Sequence, residues 1–334
     1  MKLGYAFILV YILSALAPTL RAQVPNEEDV VRVNTSLVQL NVGVADRHGR
    51  AITDLTRGEF TVYENDVRQT VLSFEPTSTP FSLAFLLDVS GSTLAFRTTL
   101  KMSALRFIDA LAPSDRDAVI AFNEQQTVLT KFTADRKRIA WGIELAGGRG
   151  GTDLYEALDF ALKQLAGEGQ RRKAIIVLTD GLDTEMRNLD RASAAVALTD
   201  EEAVAAVKPE ASASLKSVLD AADRQGVTVY PLALPSGDVK RLPFKSPQLT
   251  AIYSAARARI QVLADRTGGR LNEIRRIEEL GKLYAEVAAD MRSLYTISYQ
   301  ASGAQQRDRR WRTIRIEVAR PELIARTRPG YYAR

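Results

Sequence analysis

Asp88, Ser90 and Ser92 stand at alternate positions where an apolar run breaks off, in FLLDVSGS. Such a segment can be a polar turn, can carry a hydroxyl nucleophile, or can form one part of a metal site. Two further polar clusters have a similar setting. Thr152 and Asp153 lie in the glycine-rich loop GGRGGTD, just before a stretch with helical spacing. Asp180 ends the apolar run KAIIVLTD and is followed by Gly181. In an open α/β sheet, ligands bind outside the carboxyl ends of the strands, and the three clusters fall at such places. Together they offer carboxylates and hydroxyls, with no His or Cys. Hard oxygen donors suit magnesium, calcium or manganese and argue against zinc or copper. Asp88 and Asp180 balance a divalent charge. The hydroxyls add donors without adding charge, which leaves Lewis acidity toward an external carboxylate.

Catalytic roles fit these residues poorly. G-x-S-x-G is absent around Ser90, because Asp88 takes the place of the first glycine. The one histidine, His48, lies in the turn-like cluster ADRHGR, so a Ser-His-Asp triad lacks a base within reach. D-x-D-x-T phosphatase chemistry is missing, since position 90 is serine. Metal-assisted hydrolysis would have no general base beyond Asp153 and Asp183. Taken singly, Asp88 reads as a turn residue, Thr152 or Asp153 as a helix cap, and Asp180-Gly181 as a strand-end turn. Their coincidence in one order at one edge of one sheet favours the metal. Asp153 and Asp183 are expected to cap helices or to support the ligands.

The surrounding pattern supplies elements that can hold such a site. SLAFLLD, RDAVIAFN, QTVLTKFT, KAIIVLTDG and VTVYPLAL read as strands, several of them apolar without interruption, as a sheet buried on both faces requires. Stretches with helical spacing alternate with them: 94–111, ADRKRIAWGIELA, the run after Thr152, SLKSVLDAADRQG, IYSAARARIQVLADRTGG and 276–292. This alternation over 80–292 predicts a doubly wound α/β domain with a mainly parallel sheet. Residues 184–213 interrupt it and are expected to be a helical insertion leaving the sheet beside Asp180, with a capping box at Thr199–Glu202. Residues 31–76 instead read as short alternating strands, with Val38, Leu40, Val42 and Val44 on one face and a turn at 64–66. Over 293–334, LYTISYQ and WRTIRIEVAR return to alternation. They are expected to form a hairpin that completes a small β-sandwich-like unit with the N-terminal strands.

Composition bounds the rest. The 334 residues are 46% apolar and 25% charged, an ordinary globular balance. Forty-five basic against 40 acidic residues is too small an excess to argue for nucleic acid, and no recognition motif is present. The segment RDRRWRTIR (307–315) is expected to be a solvated hairpin, and Tyr331 and Tyr332 to pack on the β unit. The first 22 residues have an early Lys2, an apolar run from Leu3 to Leu13 extending to Ala17, and Ala22 before Gln23. This pattern is expected of a signal peptide over 1–22, which implies an exported protein, periplasmic or extracellular. Membrane association is expected only if that segment is retained. With no cysteine, stability must come from core packing or from metal.

The three polar clusters resemble the signature of the von Willebrand factor type A (VWA) domain. The signature is D-x-S-x-S, a distant Thr and a distant Asp, here Asp88-Val-Ser90-Gly-Ser92, Thr152 in GGTDL and Asp180 in VLTDG. The resemblance spans about 80–292. The flanking β segments and the closing RPGYYA are similar to those of the bacterial exported VWFA-related group. The resemblance implies a Rossmann-like fold and a metal-ion-dependent adhesion site (MIDAS) that holds magnesium, or calcium or manganese. The two serines would bind the ion directly, and Thr152, Asp88 and Asp180 directly or through water. A partner protein would supply the completing carboxylate, in adhesion or envelope protein assembly, and no enzyme activity is implied. In some members the last helix, here 276–292, shifts when the site is filled. The alternatives are a structural protein whose ion only stabilises the fold and a metal-dependent hydrolase.

Overall fold

The computed structural model describes residues 37–169, 171–242, 244–301 and 308–333. The signal segment expected over 1–22, and the stretch 31–36 of the N-terminal β unit, lie outside the described residues.

The chain first lays down half of a sandwich. β1 (Leu37–Ala45) points Val38, Leu40, Val42 and Val44 inward, following the period-two pattern. His48 sits exposed in the turn that follows, its N–H on Asp46 Oδ1 at 2.9 Å. β2 (Phe60–Glu64) and β3 (Val67–Gln69) form a hairpin through Asn65 and Asp66, whose φ values of 49° and 63° are those of a two-residue primed turn. β4 (Val71–Glu75) continues the chain but leaves that sheet.

A six-stranded, mainly parallel sheet follows. In chain order its elements are β5 (Phe81–Asp88), α1 (Arg97–Ala110), β6 (Arg116–Phe122), β7 (Gln126–Thr133), α2 (Arg136–Leu145), α3 (Leu154–Ala166) and β8 (Arg172–Thr179). Then come α4 (Thr184–Ser193), α5 (Asp200–Ala206), α6 (Ala213–Gln225), β9 (Val227–Ala233), α7 (Pro247–Thr267), β10 (Asn272–Glu273) and α8 (Leu280–Arg292). The strand order is β10-β9-β8-β5-β6-β7, with only the β6–β7 pair antiparallel. Every residue of β5, β8 and β9 is buried, which explains their unbroken apolar runs. The period-two rule divides β5 between two cores. Leu83, Phe85 and Leu87 meet α1, α2 and α8, while Ala84 and Leu86 meet α3, α6 and α7. Phe85, Phe107 and Tyr284 form an aromatic cluster that joins β5 to α1 and α8. Each such side chain contributes about 1.5–3 kcal/mol through burial.

The insertion is helical, as expected. α4 and α5 pack on α7 through Ala194, Ala203, Val207, Ala251 and Ala255. The capping box at Thr199 and Glu202 is formed. Arg259 of α7 grips Asp190 of α4 with two parallel bonds of 2.7 and 2.6 Å in a buried ion pair. The insertion is therefore fixed to the domain by a charge pair as well as by alanine packing.

The chain then returns through β11 (Leu294–Gln300), β12 (Trp311–Val318), β13 (Ile324–Arg326) and β14 (Gly330–Tyr332). One sheet has the order β13-β1-β11-β4 and the other β14-β12-β2-β3. Two expectations are corrected by this pairing. β11 and β12 do not form a hairpin; they are central strands of opposite sheets and share only the core between them, through Tyr299 and Ile314. The single alternating strand that VRQTVLSF suggests after the turn at 64–66 is likewise two strands, broken at Thr70, with β3 on β2 and β4 on β11. Alternation tells a strand which face is buried but not which strand lies beside it, so both pairings were invisible locally. Tyr331 packs on the β unit as expected, with its hydroxyl on Glu64 Oε2 at 2.9 Å. Buried Asn41 of β1 ties the sandwich to the large sheet, bonding Gly226 O at 3.1 Å and Thr228 Oγ1 at 2.8 Å.

Candidate metal site

β5 lies between β6 and β8 and delivers Asp88 to the carboxyl edge of the sheet. Asp88 Oδ1 accepts the Ser90 N–H at 2.9 Å, a local turn that bends the chain off the sheet. Asp88 Oδ2 accepts the Thr179 hydroxyl at 3.0 Å, which joins it to the end of β8. The Ser90 and Ser92 Oγ atoms lie 3.1 Å apart. Ser90 is buried and Ser92 exposed. DVSGS is thus both a turn and a converging set of oxygens.

The glycine loop is bound to this turn. Gly91 N–H donates to Gly150 O at 3.1 Å. The Arg97 guanidinium, at the start of α1, donates to Gly148 O at 2.9 Å and to Val89 O at 2.8 Å. Thr152 is buried, and its main chain is paired twice with Thr184: its N–H donates to Thr184 Oγ1 at 2.9 Å, and Thr184 N–H donates to its carbonyl at 2.8 Å. The insertion's first helix is in this way bonded to the threonine loop. Asp153 holds the cap position of α3, but its side chain caps nothing. Asp183 is the working cap, accepting Met186 N–H at 3.0 Å at the start of α4.

Asp180 completes the cluster. Its Oδ1 accepts Leu182 N–H at 3.1 Å, and the neighbouring Ser92 hydroxyl favours its charged form. Its Oδ2 is buried with no hydrogen-bond partner. Burial raises the Asp180 carboxyl above its ordinary range against the pull of Ser92 and Leu182. Burial, and then the neighbouring Asp180 charge, push Asp88 up to about 7. Two repelling carboxylates and an orphan carboxylate oxygen, beside two serine hydroxyls, fit a hard divalent cation. Among the described residues no group of three or more His, Cys, Asp and Glu is placed to hold a metal, and the oxygens gathered beside the two carboxylates are the serine hydroxyls.

The structure therefore brings Asp88, Ser90, Ser92 and Asp180 together, with Thr152 on the adjoining loop. Sequence reasoning missed Thr179, Thr184, Arg97 and Gly237. Thr179 and Thr184 flank Asp180 in LTDGLDT and were open to notice. Arg97 and Gly237 gave no local signal, because Arg97 links its own turn to a loop 51 residues on and Gly237 packs on Asp180 from a distant loop. A Cβ on Gly237 would meet Asp180 O at 2.2 Å and Asp180 C at 3.0 Å. Gly237→Ala must therefore displace Asp180, and is expected to cost about 1–3 kcal/mol of stability. It should also weaken magnesium binding. Thermal melts with and without magnesium check both effects, and unchanged melting in both conditions would refute the contact.

Fold and site together define a class: a doubly wound α/β domain with a mixed carboxylate–hydroxyl cluster at the sheet's carboxyl edge. Residues 83–182 match the family model of the von Willebrand factor type A domain, and over that stretch the chain carries such a domain. An uncharacterized protein of Synechocystis sp. is 36% identical over 106 residues, a match spanning 30% of this chain and only 25% of that protein. Among solved structures, a von Willebrand factor type A protein from Catenulispora acidiphila shares 17% identity at a TM-score of 0.46, covering 78% of this chain and 51% of its own. Proximal thread matrix protein 1 from the mussel byssus, with a zinc-occupied MIDAS motif, shares 15% identity at a TM-score of 0.45, covering 68% of this chain and 48% of its own. At such scores the likenesses say nothing about ligand or partner.

Proposed function

We propose that this protein binds a divalent cation, magnesium first and calcium or manganese as substitutes, through Asp88, Ser90, Ser92, Thr152 and Asp180. Through that cation it takes a carboxylate of a partner protein, in adhesion or envelope assembly. The observation that carries the reading is the pair of buried carboxylates, one with an unpartnered oxygen, beside the Ser90 and Ser92 hydroxyls. A bound dication would supply an electrophilic position for an external oxygen. The chain's own contribution is to aim hard donors, exclude soft ones and leave Ser92 at an open edge. The zinc in the byssus protein belongs to that protein; an all-oxygen donor set favours magnesium here. His48 sits in a sandwich turn, which suits binding rather than catalysis. Export, by the leader pattern in 1–22, agrees with a partner in the envelope or outside the cell.

The reading predicts a pH dependence. A cation requires Asp88 ionised, and in the metal-free protein this carboxyl is held up at about 7. Below that pH each cation must expel a proton, so affinity falls by up to about tenfold per unit. The stability of the metal-free protein runs the opposite way. A carboxyl raised above its unfolded value adds stability at low pH that is lost as pH climbs through 7. The rise in melting temperature caused by magnesium should therefore be larger at pH 8 than at pH 6. A magnesium effect independent of pH would contradict the site. For the partner, capture from an envelope extract should require magnesium and be reversed by EDTA; capture unaffected by EDTA would remove the carboxylate mechanism.

A further inference from the structure

The glycine loop carries a charge that the metal reading does not use. Arg149 sits between Gly148, whose carbonyl is held by Arg97, and Gly150, whose carbonyl is held by Gly91 N–H at 3.1 Å. Its own carbonyl accepts Asn123 Nδ2 at 2.6 Å. Three successive carbonyls are therefore pinned, one directly to the DVSGS turn and one to Arg97, which also holds that turn through Val89 O. The loop has no slack on either side. Gly150 has a φ of 99°, and a Cβ on Gly148 would lie 2.7 Å from Val89 Cγ2. The side chain mounted on this rigid base is exposed, and among the described residues it makes no ion pair or hydrogen bond. Ser92, across the Gly91–Gly150 bond, is exposed as well. Glu124, from the turn between β6 and β7, reaches the loop and accepts Gly151 N–H at 2.7 Å. With Asp88 and Asp180 neutralised by a dication, Arg149 leaves an unpaired positive charge on the loop that Gly91 ties to the serine turn.

We propose that Arg149 is the specificity-determining residue of this site, pairing with a second carboxylate next to the one taken by the metal. The preferred ligand is then an acidic segment with two neighbouring carboxylates rather than one. This rests on the carboxylate-on-metal reading above. Guanidinium is suited to the role because it is always charged and can hold a carboxylate through two parallel bonds. The pair would be solvent-exposed, so the expected preference is modest, about fivefold, and it should shrink in high salt.

The test uses the purified protein and two probes immobilised at equal density. One is a glycine heptapeptide with a single central aspartate, the other an otherwise identical peptide with adjacent aspartate and glutamate. In magnesium the wild type should bind the two-acid peptide about fivefold more tightly, and Arg149→Gln should bind both alike. Arg149→Lys should keep part of the preference, since it keeps the charge and loses the fork. Magnesium affinity, measured by calorimetry without peptide, should be unchanged in both variants. If Arg149→Gln binds in a magnesium-dependent way and still prefers two acids, the role of Arg149 is refuted and the metal reading stands. Wild-type binding that EDTA does not affect, or no binding to either peptide, overturns both. A loss of magnesium affinity in Arg149→Gln would also overturn the proposal, by making Arg149 a structural support of the loop.

Discussion

Asp88→Asn is expected to abolish measurable magnesium binding and, at pH 8 in EDTA, to raise the melting temperature. The opposite signs distinguish a metal ligand from a structural turn. Asparagine keeps the acceptor for Ser90 N–H, and its amide can donate to the Thr179 oxygen in place of the bond that Asp88 now accepts. The turn is therefore preserved. What disappears is a charge buried to 2% exposure beside a second buried carboxylate. Removing it relieves desolvation and repulsion worth of the order of 1–3 kcal/mol in the metal-free protein. A domain of this size shifts by about 2–4 °C per kcal/mol. Losses of 10–100-fold are typical when only a residue supporting a ligand is changed, so loss of the ligand itself should exceed about a hundredfold. Asp88→Ala is the control, because it also strands Ser90 N–H and the Thr179 hydroxyl and should lower stability in all conditions. Magnesium binding by Asp88→Asn equal to that of the wild type would end the assignment.

Arg172→Met is expected to destabilise the protein more than any change at the site. Arg172 opens β8 and is 1% exposed. Its guanidinium donates to Thr77 O at 2.8 Å and also bonds Thr79 O and Leu294 O. It lies 4.0 Å over the Phe81 ring. Burial lowers its pKa to about 10, so it stays charged near neutrality. Residues 77–79 and Leu294 are the two places where the chain passes between the sandwich and the α/β sheet. One side chain thus staples both crossings. Methionine replaces the stem but none of the donors, and strands three carbonyls. The expected cost is about 3–5 kcal/mol, or roughly 6–20 °C in melting temperature. Chemical denaturation should show either this loss or two separate transitions, one for each half. A loss under 1 kcal/mol would show that the staple is dispensable.

Much of this architecture was legible from local pattern. Continuous apolar runs marked β5, β8 and β9 because a parallel sheet buries both faces of a strand. Gly226 and Gly268 stand at the ends of α6 and α7 in left-handed conformation, as helix-closing glycines do. Asp88, Ser90, Ser92, Thr152 and Asp180 were legible as a hard-oxygen set because residue type alone decides donor chemistry. The supposed hairpin of β11 with β12 was not legible, nor was the break at Thr70, because the pairing partner of a strand is chosen by the whole sandwich.

The amino-acid order by itself determined the element types, the mainly parallel core and the donors available at its edge. All of these follow from periodicity and side-chain chemistry over a few neighbouring residues. Only the tertiary structure decided that Asp180 Oδ2 has no donor, that Arg97 and Gly237 hold the loops in place, and that Arg149 is left unpaired on the loop tied to the serine turn. Those properties are sums over contacts between residues tens of positions apart, and such sums exist only once the chain has closed on itself.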